Sequence, residues 1–156
     1  MATLDNASIL RQAYEAWNDK DLDRTVSYAL PDTRVLNVPF GASVSYREYV
    51  ENWARAFPDG KIEAINIIAQ GDSVVGEFTG RGTHTGPLKG PMGEIAATGR
   101  RLEMQFVEVY RFRNGKIAEG RMYFDSGTFM AQLGLGAGAG AGQPRGAAAP
   151  PPQPRH

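Results

Sequence analysis

Cysteine is absent from the chain, and histidine occurs only at His84 and His156. The first absence excludes disulfides and thiolate chemistry. The second argues against a histidine-based metal site, so neither a metal nor a cofactor is expected. Neither sign of charge dominates, because 17 basic residues face 17 acidic ones over 156 residues. That balance gives no broad field to draw in nucleic acid or an anionic membrane surface. Long apolar runs are missing too: none reaches the roughly 20 residues needed to span a bilayer. The opening MATLDNASIL lacks a basic segment ahead of an apolar one, so no signal peptide is read there. A soluble cytoplasmic protein with one domain and a real core is expected.

What is present in strength is the stretch 100–125, RRLEMQFVEVYRFRNGKIAEGRMYFD. It reads as two long strands joined by Asn114-Gly115, the dipeptide that most readily takes the positive φ angles of a two-residue type I′ turn. With Arg113 opposite Lys116, a regular ladder sets Val109 against Gly120, Val107 against Met122 and Gln105 against Phe124, all on one face. The other face then holds Leu102, Met104, Phe106, Glu108, Tyr110 and Phe112 beside Ile117, Glu119, Arg121, Tyr123 and Asp125. On that face Glu108 lies across from Arg121, an ion pair worth roughly 0.2–1 kcal/mol. Neither face is purely polar. Helices are expected over one and a second copy of the chain over the other, making a homodimer through the outer face of the hairpin.

Ahead of this hairpin, Ala7, Leu10, Ala13, Tyr14 and Trp17 recur at three- and four-residue intervals and predict an amphipathic helix over Asp5–Asn18. A shorter helix is predicted from about Asp21, with Leu22, Val26 and Leu30 inward and Pro31-Asp32 as its end. Arg34 to Pro39 reads as a short strand. Ser45 and Glu48 have the spacing of a capping box, and Tyr46, Tyr49, Val50, Trp53 and Phe57 form the buried stripe of the helix that follows. Lys61 to Gln70 and Ser73 to His84 make a second hairpin about Gly71-Asp72. Its second strand alternates small and large residues on one face, as a close-packed or ligand-binding surface does. Thr85 to Thr98 is rich in Gly and Pro and reads as a long loop of the kind that forms lids. Ser126 to Leu133 is a last helical turn or two capped by Asp125. One domain therefore spans 1–135. The Gly/Ala/Pro-rich stretch 136–156 cannot bury enough apolar surface to order itself and is expected to be disordered.

The order helix, helix, strand, helix, meander predicts an α+β fold in which a curved, mostly antiparallel sheet wraps around three N-terminal helices. AYEAWNDKDLD, the G-x-H-T-G-P-L segment at 82–88, ATGRR at 97–101, EVYRFRNGKIAEGRMYFD and GTFMAQLG together resemble the SnoaL-like polyketide cyclase family, a branch of the nuclear-transport-factor-2-like, or cystatin-like cone, superfamily. The likeness spans about residues 5–135. It implies that the pocket side of the long hairpin is the one with Gln105, Val107, Val109, Gly120, Met122 and Phe124. It also implies that a catalytic aspartate found on the last strand of the cyclases falls here at Met122. The base aspartate of the related steroid isomerases falls near Val38 or Asn37. None of these can act as a base.

What survives is hydrogen-bonding equipment. Tyr14 matches the isomerases' oxyanion-binding tyrosine, and Gln105 lies where a second donor is found. His84 is the only residue of the domain whose ordinary pKa suits acid-base work near neutrality, and Asp125 is the nearest carboxylate to the family's acid-base position. Tyr14, His84, Gln105 and Asp125 are thus the catalytic candidates. Trp17, Asn37, Tyr49, Trp53, Val107, Gly120, Met122 and Phe124 are the expected binding surface. The expected activity is an enolate-forming cyclisation or isomerisation of a hydrophobic carbonyl compound such as a polyketide-like ester. The rival expectations are a binding or scaffold protein that keeps the apolar cone without the chemistry, and an epoxide-hydrolase-like water addition.

Overall fold

The computed structural model describes residues 5–90 and 92–135; the segment 136–156, expected to be disordered, lies outside the described residues. Helix α1 (Asn6–Asn18) begins where the Asp5 carboxylate accepts from the Ser8 N–H at 2.7 Å. Helix α2 (Leu22–Val26) is shorter than the pattern predicts. Strand β1 (Ala29–Asn37) takes over early enough to include Leu30 and Pro31, and β2 (Ala42–Ser45) pairs back onto it. Proline is tolerated there because the first part of β1 is a sheet edge with few ladder bonds to lose. The predicted capping box of Ser45 and Glu48 forms at the start of α3 (Tyr46–Ala56).

The meander follows as β3 (Lys61–Gln70), β4 (Ser73–Thr83), β7 (Arg101–Arg113) and β8 (Lys116–Phe124), and α4 (Ser126–Gln132) is the last element among the described residues. In space the six-stranded sheet runs β2-β1-β8-β7-β4-β3, with β1 parallel to β8 and every other pair antiparallel. The stretch Thr85–Thr98, expected to be a loop, carries a small hairpin of its own, β5 (Leu88–Gly90) and β6 (Gly93–Ile95). The Asn52 side chain fastens it to α3, donating to Lys89 O at 3.2 Å and accepting from Lys89 N at 2.9 Å. The α+β cone expected from the element order is the architecture observed. No helix among the described residues is long and apolar enough to cross a membrane.

The long hairpin departs from the regular ladder at one residue. Arg113 pairs with Lys116 and Phe112 with Ile117 as expected, but Arg111 pairs with Glu119, so Ala118 is an extra residue on β8. Such a bulge shifts everything beyond it by one position. Tyr110 now faces Gly120, Glu108 faces Met122 and Phe106 faces Phe124. The face of β7 turned into the cone is therefore Leu102, Met104, Phe106, Glu108, Tyr110 and Phe112, all buried. Gln105, Val107 and Val109 lie on the outside. The expected Glu108–Arg121 ion pair does not form. Val109 is the partner of Arg121, whose Nε donates to the Tyr123 hydroxyl at 3.3 Å.

The physical reason is burial. Only this register lets Phe112 and Ile117 near the turn and Tyr110, Met122 and Phe106 farther along share one interior. Of the residues expected on an outer, partner-covered face, those of β7 and Ile117 thus line the core, whereas Glu119, Arg121, Tyr123 and Asp125 do lie outside it. They share the outer surface with Gln105, Val107 and Val109 of β7, and there Ile65, Ile68, Val75 and Tyr123 are exposed. Exposed ion pairs of Arg81 with Glu63 and Glu103 and of Arg111 with Glu119 share that surface. Any pairing of two copies through the sheet has to use it.

Candidate active site

Between the helices and the inner sheet face lies a cavity of about 70 Å³. At roughly 10–15 Å³ for each water-sized body, that is space the cone's own side chains leave open. Its walls are Trp17, Trp53, Phe57, Ile62, Leu102 and Phe106, and its mouth is marked by the exposed Lys61 and Arg81. Most polar groups along the wall are already engaged. Trp17 Nε1 donates to Val50 O at 3.0 Å, Thr25 Oγ1 to Asp21 O at 2.9 Å and Lys61 Nζ to Asn18 O at 2.6 Å. Tyr14, Tyr46, Tyr49 and Tyr110 remain, and among them one carboxyl group, Glu108.

Glu108 is 1% exposed. Its Oε2 accepts a hydrogen bond from the Tyr49 hydroxyl, while Oε1 has no hydrogen-bond partner among the described residues. Burial in a wall of aromatic groups disfavours the charged form, and the carboxyl pKa is pushed up to about 8; the neighbouring Tyr110 hydroxyl offsets part of that rise. Burial likewise pushes the Tyr46, Tyr49 and Tyr110 hydroxyls up, Tyr110 additionally through the Glu108 charge. The tyrosines therefore stay protonated donors. Glu108 alone on this wall can exchange a proton near neutrality.

Glycine 120 makes this arrangement possible by having no side chain. A Cβ there would stand 2.4 Å from Cε1 of Tyr110, so the tyrosine ring can lie flat across β8 only over a glycine. Gly120→Ala is expected to cost about 1–3 kcal/mol, as overpacking of a filled core does. Urea unfolding would measure it, and a variant as stable as the parent would show that the ring has somewhere else to go.

The other candidates fall as follows. Tyr14, Trp17, Tyr49, Trp53 and Met122 do line the cavity, with the Tyr14 ring packed on Phe78 at 4.3 Å between centroids. Phe124 is on the inner face but spends its ring on Phe40, Trp53 and Phe129. Asn37 caps a turn, its Oδ1 accepting from Phe40 N at 3.2 Å. His84 is fully buried outside the cavity lining, at the base of the 84–100 segment. Its Nδ1 accepts from Thr98 N at 3.2 Å, and burial lowers its pKa, so the ring is neutral with the proton on Nε2. Gln105 and Asp125 instead border an outward groove with Thr79, Arg81, Glu103 and Thr128. Asp125 caps α4, accepting from Gly127 N and Thr128 N at 3.0 and 3.3 Å.

Glu108 was the residue that sequence reasoning placed on the wrong side. The signal was available. Leu102, Met104, Phe106, Tyr110 and Phe112 are large and apolar at strict alternation, whereas Glu103, Gln105 and Arg111 between them are polar, and period two by itself puts the first set inside. A carboxylate within such a row is a buried carboxylate. Among the described residues no cluster of three or more His, Cys, Asp or Glu side chains is placed to hold a metal ion.

The fold has solved counterparts. The chain is similar to AclR, a candidate hydroxylase from Streptomyces galilaeus, at 27% identity over 83% of this chain and 80% of that one, with a TM-score of 0.68. It is similar to IdmH, a candidate polyketide cyclase from Streptomyces antibioticus, at 28% identity over 84% and 99% of the two chains, TM-score 0.67. A candidate polyketide cyclase from Acidithiobacillus ferrooxidans matches at 26% identity over 88% and 100%, TM-score 0.67. No curated protein matches the chain. The family model for SnoaL-like polyketide cyclases matches residues 7–133, nearly the whole described domain. The chain belongs to the SnoaL-like polyketide cyclase family.

Proposed function

We propose that this protein catalyses an enolate-forming cyclisation or isomerisation of a hydrophobic carbonyl compound, such as a polyketide-like ester, with Glu108 as the group that moves the proton. The observation that carries this reading is a buried carboxyl on the cavity wall with one oxygen unpartnered. With a pKa raised to about 8, about a tenth of Glu108 is ionised at pH 7, and a base near the working pH is well matched to proton abstraction. The carboxylate takes a proton from the carbon α to the substrate carbonyl. The enolate carbon then bonds to a second carbonyl within the same molecule, and the resulting alkoxide recovers the proton from Glu108. Electrons and atoms balance without a co-reactant. Tyr14 and Tyr46, both on the wall, are the donors placed to share the charge on the enolate oxygen, a contribution of roughly 2.7–4 kcal/mol per donor in other enzymes. The names of the candidate cyclases among the structural relatives support cyclisation.

A panel of aromatic ketones and β-keto esters incubated with the protein in heavy water tests this. Exchange of the α-protons, followed by NMR, is expected even for compounds that cannot complete a ring. Tight binding without exchange would instead favour a carrier that keeps the cone and lacks the chemistry.

A further inference from the structure

The direction of one hydrogen bond on the cavity wall decides where a proton sits. Tyr49, on α3, donates to Oε2 of Glu108. Oε1 is equally buried and unpartnered. In a neutral carboxyl the carbonyl oxygen is the acceptor and the hydroxyl oxygen the donor, so an oxygen already accepting from Tyr49 takes the carbonyl role. Of the remaining groups facing Glu108, the Tyr110 hydroxyl is near enough to hold its pKa down, but the hydrogen bond to the carboxyl comes from Tyr49 and none reaches Oε1. Across the sheet Glu108 pairs with Met122 on β8 and Gly76 on β4, neither of which titrates. Tyr46 from α3 and Tyr110 from β7 are neutral donors whose ionisation burial opposes, and Tyr14 of α1 lies along the same wall.

We propose that Tyr49 is a positioning residue: by donating to Oε2 it keeps the exchangeable proton of Glu108 on Oε1, the oxygen no protein group occupies. Its importance for turnover rests on the function proposed above, but its geometry does not. Two consequences are separately measurable. Loss of the donor removes a hydrogen bond that favours the ionised carboxylate, so the Glu108 titration moves upward. It also frees the carbonyl oxygen, whose C=O stretch then rises in frequency.

The test is infrared difference spectroscopy across the alkaline titration of the substrate-free protein. Loss of the protonated-carboxyl band in Glu108→Gln assigns it. In Tyr49→Phe the band is expected at higher frequency and the titration midpoint higher by roughly one pH unit, the effect of losing one hydrogen bond to a charged group. Tyr46→Phe removes an equally buried hydroxyl not bonded to Glu108, and its band is expected to stay in place. A Tyr49→Phe band at the parent frequency, or a midpoint unmoved or lowered, overturns the assignment. If that happens while Glu108→Gln still abolishes α-proton exchange, the proposed function stands and only the role of Tyr49 falls. If exchange persists in Glu108→Gln with the Tyr49 effects as expected, the reverse holds.

Discussion

Glu108→Gln is expected to lower turnover by about 10²- to 10⁴-fold, the range that a positioned acid-base group contributes, while the fold remains intact. Glutamine keeps the size and shape of the side chain and can still accept the Tyr49 hydroxyl through its amide oxygen. What it cannot do is take up and return a proton. Substrate affinity should therefore change little and kcat should carry the loss. In the parent, kcat/KM should rise with pH towards a plateau with a midpoint near the carboxyl's pKa of about 8. A variant that retains more than a tenth of the parent kcat would remove Glu108 from the chemistry. A profile flat between pH 6 and 9 would contradict its part as the base.

The same substitution should remove most of the protein's loss of stability in alkali. In the unfolded chain the glutamate titrates near 4.5, whereas in the fold it titrates near 8. Between those values the folded state holds a proton that the unfolded state has released. The stability contributed by that proton is complete below pH 4.5 and is lost as pH rises through about 8. At roughly 1.4 kcal/mol per pH unit, the difference amounts to about 5 kcal/mol, which is large beside the roughly 5–15 kcal/mol that holds a typical domain together. Denaturant unfolding at pH 5, 7 and 9 should show the parent weakening more from pH 5 to 7 than from pH 7 to 9, where the loss levels off above the folded pKa, and Glu108→Gln weakening far less over the whole range. Parallel curves for the two proteins would mean that the carboxyl is ionised at ordinary cost, and with that the account of its environment would fail.

How much of this was legible in the chain differs from residue to residue. The Ser45–Glu48 cap, the Asn114-Gly115 turn and the stripe from Tyr46 to Trp53 are local signals, fixed by a few neighbouring residues, and they read correctly. The motifs spread over 5–135 also identified the cone. Which side of β7 looks inward is a different kind of fact, because it depends on one extra residue in the partner strand. Nothing about Ala118 itself announces a bulge; alanine is neutral in a strand. The register was taken from the turn and the choice of inner face from the resemblance, which placed Gly120, Met122 and Phe124 inward as the structure does. Continuing an unbroken ladder across the turn then turned Gln105, Val107 and Val109 the wrong way. Asp125 and His84 were read as possible chemistry on the strength of their type. Asp125 is the N-cap that its place ahead of Ser126 already indicated, with partners two and three residues on, whereas the anchoring of buried His84 by Thr98 is known only once separate parts of the chain are assembled.

Ala118 leaves β8 with two phases. Between the turn and the bulge the odd-numbered Ile117 points inward, and beyond it the even-numbered Gly120, Met122 and Phe124 do. Removing Ala118 would merge the two phases into one unbroken alternation that keeps the pairs Arg111–Glu119, Tyr110–Gly120 and Glu108–Met122. An unbulged strand of the present length would instead turn the arginine and tyrosine at 121 and 123 into an interior that has no water for them and send a methionine and a phenylalanine into solvent. The reading frame of the interior is stored at a position that makes no hydrogen-bonded pair of its own.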